Sequence, residues 1–288
     1  MVTDALWTDF NGDGQPDLIV VGAWMTPRFF SQSDGAFKEV TAATGLENLS
    51  GWYFSLDGAD FDGDGDTDYV LGNLGLNHRF KATPEAPFAI YAADFDENGT
   101  LDMVPTYYYE GKEYPLYGRS VMQDQLVSVK KAYPSYTDYA RATVQDIFTA
   151  PALAKAQKAE AQTFASLYLE NKGNGRFEAR PLPRPAQVSP IMDMAIDDYN
   201  GDGSMDIIIA GNLYGFEYRT ARADAGNGLL MLGDGQGHFE PQSISESGIF
   251  LPGDVKALAP LQYQGKTGLL IGQNDGPVAL LLLRKALQ

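Results

Sequence analysis

The sequence predicts an all-β protein built from repeated, four-stranded antiparallel units, and three observations predict it. A nine-residue acidic pattern recurs four times. Each copy sits between short stretches rich in strand formers. Gly-rich turns with alternating flanks recur between the copies.

The acidic copies align without gaps: "DFNGDGQPD" at 9–17, "DFDGDGDTD" at 60–68, "DFDENGTLD" at 94–102 and "DYNGDGSMD" at 198–206. Apolar stretches follow each one: "LIVVG", "YVLGN", "MVPTY" and "IIIAGN". Each copy therefore reads as strand, acidic turn, strand. Start-to-start spacings are 51 (9 to 60), 34 (60 to 94) and 104 (94 to 198). The long gap holds an insertion or a unit that has lost its motif.

Three further segments read as outer hairpins: "FFSQSDGAFKEV" at 29–40, "SLYLENKGNGRFEAR" at 166–180 and "LLMLGDGQGHFEPQ" at 229–242. Near the end, "VKALAPLQYQGKTGLLIGQNDGPVALLLLR" reads as three strands turning at "YQGK" and "NDGP", without the aspartates. Residues 107–165 differ in composition. They predict two or three helices inserted into the third unit, with Ser135 or Thr137 and Thr149 as N-caps. Units of four strands recurring every 35 to 55 residues or so point to a β-propeller. The expectation is a single domain over 1–288 with about five blades, closed or part of a larger ring with an open edge. Such an edge invites strand addition, hence oligomers or filaments.

Composition narrows the function. The 288 residues carry a formal charge of −17, which argues against nucleic acid as the main partner. At 44 % hydrophobic residues the chain is no disordered acidic tail. Without cysteine there is no disulfide scaffold, thiolate metal site or cysteine nucleophile. No apolar run approaches the roughly 18 residues of a membrane span. The start has no signal-peptide pattern, so the chain reads as a cytoplasmic product or a piece of a longer exported protein.

Positions one, three, five and nine of every copy carry side-chain oxygens. These are Asp9, Asn11, Asp13 and Asp17; Asp60, Asp62, Asp64 and Asp68; Asp94, Asp96, Asn98 and Asp102; and Asp198, Asn200, Asp202 and Asp206. Position seven (Gln15, Asp66, Thr100, Ser204) adds a backbone carbonyl. Hard oxygen ligands without His or Cys select Ca²⁺, about four in all, over zinc, copper or Mg²⁺. Glycine at position six suits left-handed backbone geometry. The aromatic at position two (Phe10, Phe61, Phe95, Tyr199) should point away from the metal, into packing between units. An EF-hand shares the pattern but needs a bidentate Glu at position twelve and flanking helices. Here position twelve is Val20, Leu71, Pro105 and Ile209.

Beyond the loops, Tyr107, Tyr108, Tyr109, Tyr114, Tyr117, Tyr133, Tyr136 and Tyr139 crowd into the insert, beside Arg119, Lys130, Lys131 and Arg141. They either dock the helices onto the sheet or form a sugar- or protein-binding face, and docking is the favoured reading. "GNLGLNHR" at 72–79 and "GNLYGFEYR" at 211–219 hold corresponding places. Asn73 and Asn212 there should hold loop backbone. His78, Arg79, Glu217, Tyr218 and Arg219 could line a lyase-type site. No nucleophile elbow, phosphate loop or zinc signature occurs.

The acidic pattern resembles FG-GAP/VCBS repeats, the propeller units also found in integrin α-subunit heads. The segments "GNLGLNHRFKATPEAPFAIYAADFDENGTLDMVPTYYYEGKEYPL", "LENKGNGRFEARPLPRPAQVSP" and "AGNLYGFEYRTARADAGNGLLMLGDGQGHF" look like the C-terminal portion of large exported bacterial VCBS-repeat proteins of ASPIC/UnbV type. The resemblance implies calcium-stabilised blades at the cell exterior, no settled enzymatic activity, and metal positions on the four loops. The expected function is thus a structural, adhesion or assembly module with a protein or glycan partner. The alternative is a carbohydrate-binding or polysaccharide-degrading propeller with structural calcium.

Overall fold

The computed structural model describes residues 1–216 and 220–283. The chain separates into two compact units. The main unit comprises Met1–Glu47, Gly51–His78 and Phe164–Gln288; the inserted unit comprises Asn48–Ser50 and Arg79–Thr163. The sequence reading of a single domain with an insert at 107–165 therefore differs from the observed division, in which the interruption starts near residue 79.

In chain order, β1 (Val2–Thr8), β2 (Asp17–Met25), β3 (Arg28–Ser33) and β4 (Ala36–Glu39) form the first antiparallel sheet, and β5 (Gly51–Trp52) pairs with the end of β2. The second sheet starts with β6 (Ser55–Ala59) and β7 (Asp68–Gly72). The chain then leaves to build the inserted unit. That unit contains β8 (Phe88–Ala93), β9 (Asp102–Tyr109), β10 (Lys112–Pro115), five short helices and β11 (Gln157–Ala161), with strand order β10-β9-β8-β11. On return, β12 (Leu167–Asn171) pairs with β7, Leu71 opposite Leu167, and β13 (Phe177–Pro181) completes the second sheet. The hairpin at 166–180 thus belongs to the unit of the second acidic loop rather than the third. The segment expected as a helical insert begins inside β9 and ends beyond β11.

The third sheet of the main unit is β14 (Asp193–Asp197), β15 (Asp206–Ala210), β16 (Leu229–Gly233) and β17 (Phe239–Pro241). After α6 (Ile244–Ser247), the last sheet has three strands: β18 (Val255–Tyr263), β19 (Lys266–Gln273) and β20 (Ala279–Leu282).

The four sheets of the main unit follow one another in a row, with β1 beside β6, β6 beside β14 and β14 beside β18. Side chains tie these first strands together. Asp4 Oδ2 accepts from the Leu56 N–H at 2.8 Å, Ser55 Oγ donates to the Ile191 carbonyl at 3.0 Å, and Asp193 Oδ2 accepts from the Leu258 N–H at 2.7 Å. Burial records position in the row. Strands β7 ("DYVLG") and β15 ("DIIIA") are buried at every residue, because each has a neighbouring sheet on both faces. Strands β2 and β19 instead alternate between buried and partly exposed residues, as expected with one face covered.

In the inserted unit, the helices are α1 (Arg119–Gln125), α2 (Val127–Ala132), α3 (Tyr136–Arg141), α4 (Val144–Ile147) and α5 (Ala150–Lys155). Caps recur too often for longer ones. Ser135 caps α3, Thr143 forms a capping box with Asp146, and Thr149 caps α5. Thr137 lies inside α3. Met122, Leu126, Val129, Tyr139, Val144 and Phe148 pack with Tyr91 and Val104 of the sheet.

Candidate metal centre

All four acidic loops connect the two strands expected of them and fold by one scheme. The first carboxylate collects backbone N–H groups. Asp9 accepts from Gly12, Asp13 and Gly14, and Asp198 from Gly201, Asp202 and Gly203, at 2.7 to 3.1 Å. Asp60 takes Gly63 and Gly65, and Asp94 takes Asn98 and Gly99. Position three accepts from the N–H of position five in three loops: Asn11 from Asp13, Asp62 from Asp64, Asn200 from Asp202. Position five then holds the N–H of Gln15, Asp66, Thr100 and Ser204, each at 2.8 or 2.9 Å.

Position six is left-handed as expected. Position four is left-handed too, at Gly12, Gly63, Gly201 and, with φ of 59°, Glu97. Glycine at position four in three of four copies was the sequence signal for this second left-handed residue.

The ninth aspartate has a second role that spacing does not reveal. Asp17, Asp68 and Asp206 each accept from a third-strand N–H of their own sheet: Gln32 at 2.8 Å, Asn171 at 2.7 Å and Gly233 at 2.9 Å. The other Asp68 oxygen accepts from Tyr168 Oη at 2.7 Å and the Phe61 N–H at 3.2 Å. Asp102 accepts from the Phe95 N–H at 2.9 Å.

Three carboxylates converge in two loops. Oxygens of Asp60, Asp62 and Asp68 lie within 4.8 Å of one another, and so do those of Asp94, Asp96 and Asp102. Ligands at calcium's bond length of about 2.3–2.6 Å sit no more than about 5 Å apart, so one ion reaches all three. Asp64 is outside its cluster. In loops one and four, position three is an amide, and its NH₂ is engaged: Asn11 donates to Ser31 Oγ, and Asn200 to Asp202 Oδ2. Two buried carboxylate oxygens, Asp17 Oδ2 and Asp96 Oδ1, have no hydrogen-bond partner. A buried acceptor without a donor is costly, and a hard cation satisfies it. The residues therefore fit calcium.

Electrostatics agree. Burial pushes the ninth-position carboxyls up in every loop: Asp17, Asp102, Asp206 and, to about 6, Asp68. Asp62 is raised by burial and then by Asp64, Glu170 and Asp60. A cation among these groups would reverse both causes.

Position two packs between sheets, as the sequence reading expects, in the three loops of the main unit. The Phe10 ring meets Phe29 of its own sheet and Phe177 of the second sheet, with centroids 5.2 and 6.4 Å away. Phe61 meets Tyr168 at 5.9 Å and Phe239 of the third sheet at 5.2 Å. Tyr199 packs against the buried cluster that joins the third and last sheets, which includes Ile208, Val255 and Leu258. In the inserted unit Phe95 stacks on Phe148 at 4.2 Å.

Asn73 and Asn212 hold backbone. Asn73 accepts from Trp52 and Leu74 and donates to Ala165; Asn212 accepts from Gly226 and donates to Gly226 and Gly253. A ring nitrogen of His78 meets the Gly75 carbonyl at 2.8 Å, while Arg79 lies over Phe80. Glu217, Tyr218 and Arg219 lie outside the described residues. Among the insert tyrosines, Tyr117, Tyr133 and Tyr139 pack with the helices, whereas Tyr107, Tyr109 and Tyr136 are exposed.

Residues 9–71, from the first acidic loop through the second and into β7, match the sequence model of the FG-GAP-like repeat. No curated protein is significantly similar to the chain.

Proposed function

We propose that the chain is a calcium-stabilised repeat protein of β-propeller type, serving as a non-enzymatic structural, adhesion or assembly module at the cell exterior. The convergence of Asp60, Asp62 and Asp68 at the turn between β6 and β7 carries this reading. The repeat match over 9–71 supports it. No helix among the described residues is long and apolar enough to cross a membrane.

Calcium would be held first by the oxygens at positions one, three and nine, which converge in the second and third loops, with position five and the carbonyl of position seven completing the set. Bound there, it supplies positive charge among crowded carboxylates and fixes the loop. The chain's own residues do the rest. In the main unit the ninth aspartate joins loop to third strand, and the second-position aromatic joins one sheet to the next.

Calorimetric titration of calcium into EDTA-stripped protein tests the proposal. The expected result is saturable binding of about four ions, reduced by one in Asp62→Ala, with magnesium a poor competitor. No heat and no saturation would overturn it.

A further inference from the structure

The acidic loops of the main unit are connected to one another through two outer hairpins. Each of these hairpins touches two loops, the one in its own sheet and the one in the sheet before. The hairpin of the second sheet, residues 171–177, is the first case. Its Asn171 N–H donates to Asp68 Oδ1 of the second loop at 2.7 Å. Asn171 is 3 % exposed, and its Nδ2 donates to the Thr67 carbonyl of the second loop and to the Phe10 carbonyl of the first, each at 3.1 Å. Phe177, opposite Asn171, meets the Phe10 ring. The hairpin of the third sheet, residues 233–239, repeats the arrangement. Its Gly233 N–H donates to Asp206 Oδ1 of the fourth loop at 2.9 Å. Its Gly237 N–H donates to the Phe61 carbonyl of the second loop at 3.1 Å. Phe239, opposite Gly233, meets the Phe61 ring.

Two contacts thus recur. The ninth aspartate of the hairpin's own loop holds the hairpin's first residue, and a donor from the hairpin holds the second-position carbonyl of the preceding loop. The turns between are left-handed at Gly173, Asn174 and Gly175 and at Gly235 and Gly237. Glycine leaves such turns much conformational freedom, and the contacts to the two loops limit it. An ion that draws Asp68 into place fixes the Asn171 hairpin. The fixed hairpin in turn holds the Phe10 carbonyl beside Asn11, a ligand position of the first loop. The cost of ordering the shared hairpin falls on one ion, and the next binds a loop already held. Coupling between two binding equilibria acts equally in both directions. The third loop, in the inserted unit, is built otherwise. Among the described residues, Asp102 accepts from the Phe95 N–H of its own loop and from no hairpin.

We infer that the first, second and fourth loops bind calcium as one cooperative set, coupled through the hairpins at 171–177 and 233–239, and that the third loop lies outside the set. Asn171 is the positioning residue of the first coupling, since its N–H serves the second loop and its side-chain amide serves the first. In the second coupling the backbone N–H groups of Gly233 and Gly237 share those tasks. The main unit then passes from calcium-free to loaded over a narrow range of calcium concentration, rather than filling loop by loop. This coupling rests on the calcium reading of the loops and states how the sites respond to one another.

Calcium titration of the full chain, followed by amide NMR, tests it. The position-six N–H of each loop, at Gly14, Gly65, Gly99 and Gly203, donates to that loop's first aspartate and so reports on its own site. In wild type, Gly14, Gly65 and Gly203 should shift together with a Hill coefficient above one, and Gly99 along a simple one-site curve. Asp62→Ala, which disables the second loop, should raise the calcium midpoints of Gly14 and Gly203 about fivefold or more and leave that of Gly99 in place. Asn171→Ala keeps every ligand position. It should separate the Gly14 curve from that of Gly65, while Gly203 still moves with Gly65. Tryptophan fluorescence verifies folding, and Asn171→Ser replaces Asn171→Ala if the latter does not fold. Unmoved midpoints at Gly14 and Gly203 in Asp62→Ala, or an equal shift at Gly99, would overturn the coupling alone. Four amides that do not respond to calcium would overturn the calcium reading and the coupling with it.

Discussion

The second and third acidic loops are the same motif under different structural loads. Both gather three carboxylates within 4.8 Å. In the main unit, Asp68 also holds the Asn171 N–H and Tyr168 Oη, and Phe61 enters the next sheet. In the inserted unit, Asp102 holds the Phe95 N–H, and Phe95 lies on Phe148 of the helical segment. The carboxylate cluster is set by nine consecutive residues. What it fastens is set by partners more than 50 residues away in sequence: Asn171 and Tyr168 for Asp68, Phe148 for Phe95.

All three tryptophans, Trp7, Trp24 and Trp52, lie in the main unit, so their fluorescence reports its unfolding separately from the inserted unit. The largest expected effect is at Asp68. Asp68→Ala strands buried donors and should cost the tryptophan-detected transition about 4 kcal/mol in urea, against about 1–2 kcal/mol for Asp102→Ala in a tyrosine-detected one. Equal losses at the two sites would break the comparison. Next, Phe61→Ala should cost the main unit about 3–4 kcal/mol, and Phe95→Ala should leave the tryptophan transition in place. A shift of that transition by Phe95→Ala would show that the loops share one load.

A pH series sharpens the comparison further. In EDTA, the raised Asp68 carboxyl, at about 6, binds its proton more tightly in the native state than in the unfolded chain. Its contribution is therefore complete below the unfolded value near 4 and lost as pH rises through about 6. Calcium-free main unit should gain stability from pH 7 to pH 5, and Asp68→Asn should flatten that slope. A wild-type slope of the opposite sign between pH 5 and 7 would count against it. The smallest effect is at position four. Glu97 takes a left-handed backbone that Gly63 takes freely. Glu97→Gly should stabilise the inserted unit by up to about 1 kcal/mol, and Gly63→Ala should destabilise the main unit by a similar amount.

Much of this was legible in the sequence. The nine-residue spacing located the four turns, the carboxylates that converge at Asp60, Asp62 and Asp68 and at Asp94, Asp96 and Asp102, and the direction of the second-position aromatics in the main unit. The hairpins at 29–40, 166–180 and 229–242 and the three closing strands followed from alternation and turn residues. Pairing across the interruption was not legible. Leu71 lies opposite Leu167 because "YVLGN" and "LYLEN" bury both faces, and no local signal joins two such stretches across an intervening unit. The order of the copies in the chain made the third look like the next blade, when it belongs to a unit inserted within the second. The ninth aspartate's hold on the third strand was hidden for the same reason. Asp17, Asp68 and Asp206 are read locally as ligands, and their N–H donors come from strands placed by tertiary structure.

The most direct test is the melting temperature of the main unit, followed by tryptophan fluorescence, in calcium, in magnesium and in EDTA. Calcium should raise it by several degrees over EDTA, since the ion binds the folded loops and not the unfolded chain, and magnesium should raise it far less. An identical melting temperature in all three would contradict calcium as the ion that holds these turns.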